Sequence, residues 1–156
     1  MKYWLMKSEP DVYSITDLKT EGETIWDGVR NYQARNFLRA MAVGDRAFFY
    51  HSNTKPPGIA GLMEIVQPDL TDPTQFDPKS KYYDSKSPPD NPRWQTVRVA
   101  FVQAFPDLLT LETLREQFDP EQLWILRRGN RLSVIPVEAP VAEKILALAT
   151  ALSPAP

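Results

Sequence analysis

Aromatic, basic and amide side chains are crowded into residues 25–41, the stretch of the sequence best equipped to bind a ligand. Trp26, Arg30 and Tyr32 flank Asn31, a residue type that favours the N-cap of a helix. A guanidinium and the free amides at a helix start bind anions, and aromatic rings stack on planar groups. The stretch therefore predicts a site for a nucleotide, which joins a planar base to a phosphate. The alternative is that the two rings belong to the core and Arg30 to a surface ion pair.

A second group of polar side chains is expected at the tip of a hairpin. Residues 46–51 predict a strand with Phe48 and Tyr50 on one face, and residues 59–66 predict the next strand. His51, Ser52 and Asn53 then lie at the tip, where they offer donors and acceptors suited to the edge of a base. The alternative is an ordinary turn in which these side chains bond to the backbone.

Composition limits the kinds of function open to the chain. The 156 residues carry a formal charge of −2, so long-range attraction to nucleic acid is not expected. Residues 26–55 nevertheless hold five basic residues against two acidic ones, which predicts a local basic patch. The absence of cysteine excludes disulfides and thiol chemistry, and with a single histidine we expect neither a metal site nor a cofactor. The lack of a long apolar run predicts a cytoplasmic protein without a membrane span.

Hydrophobic periodicity predicts one α+β domain over residues 1–152, with a frayed tail at 153–156. Five strands are expected in a curved, mostly antiparallel sheet or barrel, at residues 2–7, 46–51, 59–66, 94–105 and 131–137. Helices are expected at 14–22, from 31 to 41, and at 110–118, 119–129 and 140–152. The proline-rich residues 67–93 predict a long, partly ordered flap. The sequence contains none of the common phosphate-loop, dinucleotide, nucleophile-elbow or zinc-protease motifs, so no familiar catalytic machinery is predicted.

Five segments together resemble the EVE domain family. They are YWLMKSEP at 3–10, WDGVRNYQARN at 26–36, FFYHSN at 48–53, GIAG at 58–61 and DNPRW at 90–94. The resemblance implies a PUA-like fold, a β-barrel of about five to six mostly antiparallel strands with short peripheral helices. It also implies kinship with YTH domains, which read methylated adenine in RNA, and a role as a reader of modified bases.

Likeness to YTH domains gives Lys7, Ser8, Trp26, Ser52 and Asn53 places around a base-binding pocket, and Trp94 a place in its aromatic wall. We therefore expect binding without chemistry. A base extruded from DNA or RNA, or presented by a single strand, stacks on Trp26 while polar side chains read its edge and arginines hold the flanking phosphates. The complete set of predicted binding residues is Lys7, Ser8, Trp26, Arg30, Asn31, Tyr32, Arg35, His51, Ser52, Asn53 and Trp94. The oligomeric state is left open.

Two other functions compete with this interpretation. PUA-like proteins of the ASCH type resemble the family in fold and include amidohydrolases that act on acylated cytidine, a role in which Lys7, Ser8 and Glu9 could serve. Side chains alternate along a strand, which argues that three consecutive residues cannot all face one pocket. The third possibility is a protein-interaction module that uses the proline-rich segment.

Overall fold

The computed structural model describes residues 1–152, so the predicted frayed tail at 153–156 lies outside the described residues. The strands are β1 (Tyr3–Ser8), β2 (Glu23–Ile25), β3 (Arg46–His51), β4 (Gly58–Thr71), β5 (Gln95–Thr110) and β6 (Val134–Val137). The α-helices are α1 (Ile15–Glu21), α2 (Tyr32–Ala40), α3 (Leu111–Gln117) and α4 (Ala139–Thr150), and short 3-10 helices cover Pro73–Phe76 and Trp124–Leu126. None of the helices within residues 1–152 combines the length and apolar character needed to cross a bilayer.

The strands form one sheet in the order β2-β5-β4-β3-β1-β6. Every neighbouring pair is antiparallel except β1 and β3, which run parallel. The prediction of an α+β domain with a mostly antiparallel sheet is confirmed. The sheet does not close into a barrel, because the short edge strands β2 and β6 pair on one side only within the described residues. Repeated register shifts along β4 and β5 bend it instead.

Alternating side chains along the strands divide the core into two clusters. Trp4, Ala47 and Phe49 pack on one face, beneath α1 and α2, while Leu5 and Phe48 pack on the other face, beneath α3 and α4. The predicted division of residues 46–51 between two faces is therefore confirmed. Both faces of the central strands are buried, so the polar groups that remain accessible gather at the strand ends.

Two helix starts match the sequence prediction closely. The Ser14 side chain accepts from Asp17 N at 3.1 Å, and the Asp17 carboxylate accepts in return from Ser14 N at 2.8 Å, which completes a capping box before α1. Asn31 caps α2, since its Oδ1 accepts from Ala34 N at 2.9 Å. These caps fix where the chain leaves β1 and where it enters α2, the two approaches to the site described below.

Four elements differ from the sequence prediction. Strands β4 and β5 extend to Thr71 and Thr110, past Pro68 and Pro106, because each proline lies where the register shifts and no regular ladder bond is required. Strand β2 was not expected at all. The predicted helix at 119–129 is a turn followed by a 3-10 helix, because Leu123, fully buried, adopts an extended conformation that ends the turn closed by Asp119.

Candidate functional site

A cavity of about 640 Å³ opens where β1 ends, on the α1 and α2 side of the sheet. Segments far apart in sequence line it: Lys7, Ser8, Glu9, Val12, Tyr13, residues 24–29, Ser52, Lys81, Tyr82 and Ser133. Four of the residues predicted from sequence, Lys7, Ser8, Trp26 and Ser52, thus come together in its wall. The parallel pairing of β1 with β3 brings Lys7 and Ser8 close to Ser52, because Ser52 N donates to Ser8 O at 3.0 Å just beyond the last strand pair.

Trp26 belongs to the core and to the cavity wall at once. Its side chain is only 6% exposed and meets the ring of Phe49 edge-on, with the ring centroids 5.3 Å apart. Its backbone is held by β5, since Trp26 N donates to Val97 O at 2.9 Å and Trp26 O accepts from the Thr96 hydroxyl. The two roles that the sequence offered as alternatives are therefore combined in one rigidly placed ring.

Lys7 brings a cation to the edge of this wall. Burial lowers the pKa of the Lys7 amine below its usual value, because the charged form is partly removed from water. The amine has no hydrogen-bond or ion-pair partner within residues 1–152, whereas Ser8 Oγ is committed to Tyr13 O at 2.6 Å. Lys7 is thus a half-buried donor that a ligand can satisfy. Lys81 provides a second lysine in the cavity wall, and Glu9 and Asp27 provide two carboxylates.

The opposite wall is Tyr82, which is not among the binding residues predicted from the sequence. Gly28 has φ +83°, and a Cβ placed on it would lie 2.5 Å from Tyr82 Cζ, so the ring packs directly on the glycine backbone. Asp72 fixes this contact: its carboxylate accepts from Gly28 N at 2.8 Å and from Arg30 Nη1 at 3.0 Å. The sequence signal for this wall is the pair Lys81 and Tyr82 within a proline-rich stretch. The contact between Gly28 and Tyr82 joins residues 54 positions apart, and no local sequence pattern specifies such a contact.

The segment 72–94 that carries Tyr82 is held by buried hydrogen bonds. Gln75 is completely buried; its Nε2 donates to Asp72 O and Trp94 O, and its Oε1 accepts from Trp94 N and from Ser87 Oγ. A single amide thus ties both ends of the segment to its middle. The predicted flap therefore forms part of the cavity wall through Lys81 and Tyr82, and the hydrogen bonds of Gln75 hold it in place.

The side chains at the start of α2 lie outside the cavity. Arg30 donates to Asp72, to Thr74 Oγ1 at 3.0 Å and to Tyr82 O at 2.9 Å, so most of its N–H groups are already used by the protein. Asn31 uses its side-chain oxygen for the helix cap. Tyr32, Arg35 and Trp94 form a separate group, described next.

Trp94 is buried away from the cavity rather than among its lining residues. It is 5% exposed, its Nε1 donates to Asp84 Oδ2 at 2.8 Å, and its ring stacks on Tyr32 at 4.9 Å and 17°. Arg35 Cζ lies 4.7 Å from the centroid of the Tyr32 ring, and its Nη1 donates to Arg93 O. The predicted aromatic wall is therefore made by Tyr82, and Trp94 supports Tyr32.

The other hairpin residues make contacts within the protein. His51 Nε2 accepts from Ile15 N at 3.2 Å, and burial lowers the pKa of His51, so the neutral ring is favoured. Asn53 has φ +52° and its Nδ2 donates to Glu9 Oε1 at 3.3 Å. Neither residue lines the cavity. Ligand binding by any residue of the predicted set stays a prediction.

Lys7, Ser8 and Glu9 all border the cavity. A residue that borders a cavity need not point its side chain into it: Ser8 Oγ donates to Tyr13 O, and Glu9 Oε1 accepts from Asn53 Nδ2, a residue outside the cavity wall. The argument that three consecutive side chains cannot all face one pocket therefore stays a prediction.

Comparison with known proteins places the chain in a family. A family model described as the EVE domain matches residues 2–148. The chain belongs to the EVE domain family. Thymocyte nuclear protein 1 of Homo sapiens is 44% identical over 94% of this chain and 73% of its own length. Among solved structures, this EVE domain resembles a protein from Pseudomonas syringae with TM-score 0.91 and 52% identity, covering 94% of this chain and 99% of that one.

Two further structures bear on the fold and on what relatives bind. The EVE domain resembles human thymocyte nuclear protein 1 in complex with 5-methylcytosine-containing DNA with TM-score 0.86 and 43% identity, covering 96% of this chain and 98% of that one. It also resembles the YTH domain of Mmi1, in a complex with RNA, with TM-score 0.56 and 10% identity, covering 96% of this chain and 78% of that one. The second likeness concerns the fold alone.

Proposed function

We propose that this EVE domain binds a modified nucleobase in DNA and accommodates the base, turned out of its strand, in the cavity at the end of β1. The observation that carries the proposal is the cavity itself, about 640 Å³ of space with Trp26, Tyr82 and Lys7 among the residues that border it. Ligand sites in proteins commonly measure about 300–1,000 Å³ and combine apolar walls with a few placed polar groups. The complex of the human relative with 5-methylcytosine-containing DNA supports the choice of ligand.

In this proposal Trp26 and Tyr82 provide the apolar walls and Lys7 reads an acceptor on the base. A half-buried amine without a partner gains a charge-assisted hydrogen bond when an acceptor enters, a contribution of about 1.5–3 kcal/mol. A methyl group on the base adds about 0.8 kcal/mol of apolar burial, which alone gives only several-fold preference over the unmodified base. Discrimination by more than that requires the walls to be shaped against the unmodified base.

The flanking phosphates are assigned to Arg35 and Arg39 rather than to Arg30. Arg30 is paired with the buried carboxylate of Asp72, which its removal would leave unpaired, whereas Arg35 and Arg39 have no carboxylate partner within residues 1–152. Arg35 and Arg39 are spaced four residues apart on α2 and so share one face of the helix. Two or three phosphate contacts give a shallow dependence of affinity on salt.

The test is a pair of titrations with labelled oligonucleotides that differ only in one central 5-methylcytosine or cytosine. Lys7→Met is expected to weaken binding of the modified strand about 10- to 150-fold, whereas the exposed Lys19→Met, which removes the same charge from α1, is expected to change little. Equal affinities of the two lysine variants would contradict the proposed site. Absence of measurable binding by the unaltered protein would contradict the proposed function.

The amidohydrolase alternative is favoured by one observation, the presence of Lys7, Ser8 and Glu9 around the same cavity. It predicts that an N4-acylated cytidine is converted to cytidine and that Lys7→Met abolishes the conversion. Mass spectrometry of the nucleoside after prolonged incubation separates the two functions, because binding without chemistry returns the acylated cytidine unchanged.

A further inference from the structure

The exposed ring of Tyr32 is linked to the cavity wall through a series of packed side chains. Tyr32 is 51% exposed at the first residue of α2, yet its ring is stacked on the buried Trp94. Arg30 Cζ lies 5.3 Å from the centroid of Trp94 and 5.8 Å from that of Tyr82, which lines the cavity. The series Tyr82, Arg30, Trp94 and Tyr32 therefore runs from the cavity to the surface in steps of about 5 to 6 Å.

Tyr32 is accessible to a ligand beside the guanidinium of Arg35. The Tyr32 and Trp94 centroids are 4.9 Å apart, and Arg35 Cζ lies 4.7 Å from the first and 5.9 Å from the second. The guanidinium therefore lies within cation–π distance of both rings. Tyr32 is still 51% exposed beside this guanidinium, so about half of its side chain is accessible to a ligand.

The support beneath Tyr32 is fixed by several independent contacts. Trp94 donates to Asp84, its backbone is held by Gln75, and the Asn31 cap fixes the backbone on which Tyr32 stands. A ring that is already held loses little conformational entropy when a second planar group stacks on it. The adjacent Arg35 supplies the positive charge that a phosphate attached to such a group requires.

We propose that Tyr32 is a second stacking site, which takes the base of a nucleotide within a few positions of the base held in the cavity. The inference rests on the proposed function and extends it. The cavity binds the modified base, and Tyr32 stacks on a neighbouring base of the same strand. Stacking accepts any base, so Tyr32 contributes affinity for a strand and no preference for its sequence. The protein thereby distinguishes a modified base within a strand from the same base as a free nucleotide.

The experiment compares 5-methyl-dCMP with a single-stranded pentanucleotide that has 5-methylcytosine at its centre. Tyr32→Ala is expected to weaken binding of the pentanucleotide about 5- to 150-fold, which corresponds to a stacking contribution of about 1–3 kcal/mol, and to leave binding of the mononucleotide unchanged. Tyr32→Phe keeps the ring and is expected to retain affinity. Tyr83→Ala is the matched control, because Tyr83 is a similarly exposed tyrosine, at 45%, in the neighbouring segment.

Two ligands make the assignment direct. A pentanucleotide with abasic neighbours is expected to bind the unaltered protein as weakly as the complete pentanucleotide binds Tyr32→Ala, and to bind both proteins equally. A pentanucleotide with 2-aminopurine beside the central base is expected to lose fluorescence on binding to the unaltered protein but not to Tyr32→Ala. Unfolding curves establish that the variants are folded.

The outcomes separate this inference from the proposed function. If Tyr32→Ala binds the pentanucleotide as tightly as the unaltered protein while Lys7→Met weakens both ligands, Tyr32 is not a stacking site and the cavity assignment stands. If Tyr32→Ala weakens the mononucleotide as much as the pentanucleotide, the ring acts on the cavity and the second site is rejected. If the unaltered protein binds neither ligand, both proposals are overturned.

Discussion

Replacement of Gly28 by alanine tests how the cavity is built, because it adds one methyl group between two of its walls. Gly28 adopts φ +83°, and the new Cβ would lie 2.5 to 2.8 Å from three carbon atoms of the Tyr82 ring. Two costs then add. An L-residue at positive φ costs about 1–2 kcal/mol, and inserting a methyl group into a packed contact costs about 1–3 kcal/mol.

The chain contains a matched control for the first of these costs. Gly44 has φ +91° and nothing within 4 Å of the position of its Cβ. Gly44→Ala is therefore expected to lower the free energy of unfolding by about 1–2 kcal/mol, and Gly28→Ala by about 2–5 kcal/mol. Both changes reduce the freedom of the unfolded chain equally, so the difference between the two variants isolates the contact with Tyr82.

The assay is urea unfolding followed by tryptophan fluorescence, combined with titration of the 5-methylcytosine oligonucleotide. Gly28→Ala is expected to weaken ligand binding because Tyr82 must move, whereas Gly44→Ala is expected to bind normally. Adding Tyr82→Ala to Gly28→Ala removes the clashing ring and is expected to recover part of the lost stability. If Gly28→Ala and Gly44→Ala differ by less than about 0.5 kcal/mol and bind equally, the Gly28–Tyr82 contact does not shape the cavity.

Three further predictions follow from buried groups near the site and in the core. Trp26→Ala is expected to cost about 3–5 kcal/mol of stability, since the ring is 6% exposed, and also to weaken ligand binding; unfolding curves and titrations check both losses. Burial opposes ionisation of Asp45, but hydrogen bonds from Trp4 Nε1 and two backbone amides prevail and lower its pKa, so the stability it gives is lost as pH falls from about 5 through the folded-state pKa. Asp45→Asn is expected to flatten that acid limb in unfolding curves measured against pH. Burial lowers the pKa of His51, so the unfolded chain binds its proton more readily and stability declines below about pH 6.5; His51→Gln is expected to remove that decline.

Local chemistry made the helix starts and the strand faces predictable. Asn31 and the Ser14–Asp17 pair act within three residues of their partners, and Phe48 and Tyr50 follow the simple alternation of a strand. The C-terminal ends of β4 and β5 could not be predicted from local sequence in the same way. Proline predicts a break, but register shifts in the structure place Pro68 and Pro106 where no ladder bond is required.

The site was predictable only in part, for the same reason. Lys7, Ser8, Trp26 and Ser52 were identified through the family resemblance and meet around one cavity. Tyr82 was not identified, because its place opposite Gly28 depends on Asp72 and the buried amide of Gln75, a network assembled from residues distant in sequence. Arg30 illustrates the opposite case. Arginine is a residue type suited to binding phosphate, so the sequence predicts Arg30 as a binding residue, but in the structure it is already paired with Asp72.

The sheet separates two apolar clusters, and only one of them touches the cavity. Trp26 and Val29 of the α1 and α2 side line it, whereas no residue of the cluster beneath α3 and α4 does so within residues 1–152. Substitutions such as those at Ile145 or Leu114 therefore change the stability reserve of the protein without altering the shape of the cavity. Stabilising substitutions on that side can offset destabilising substitutions around Trp26. Ligand specificity and fold stability can therefore evolve on opposite faces of one sheet.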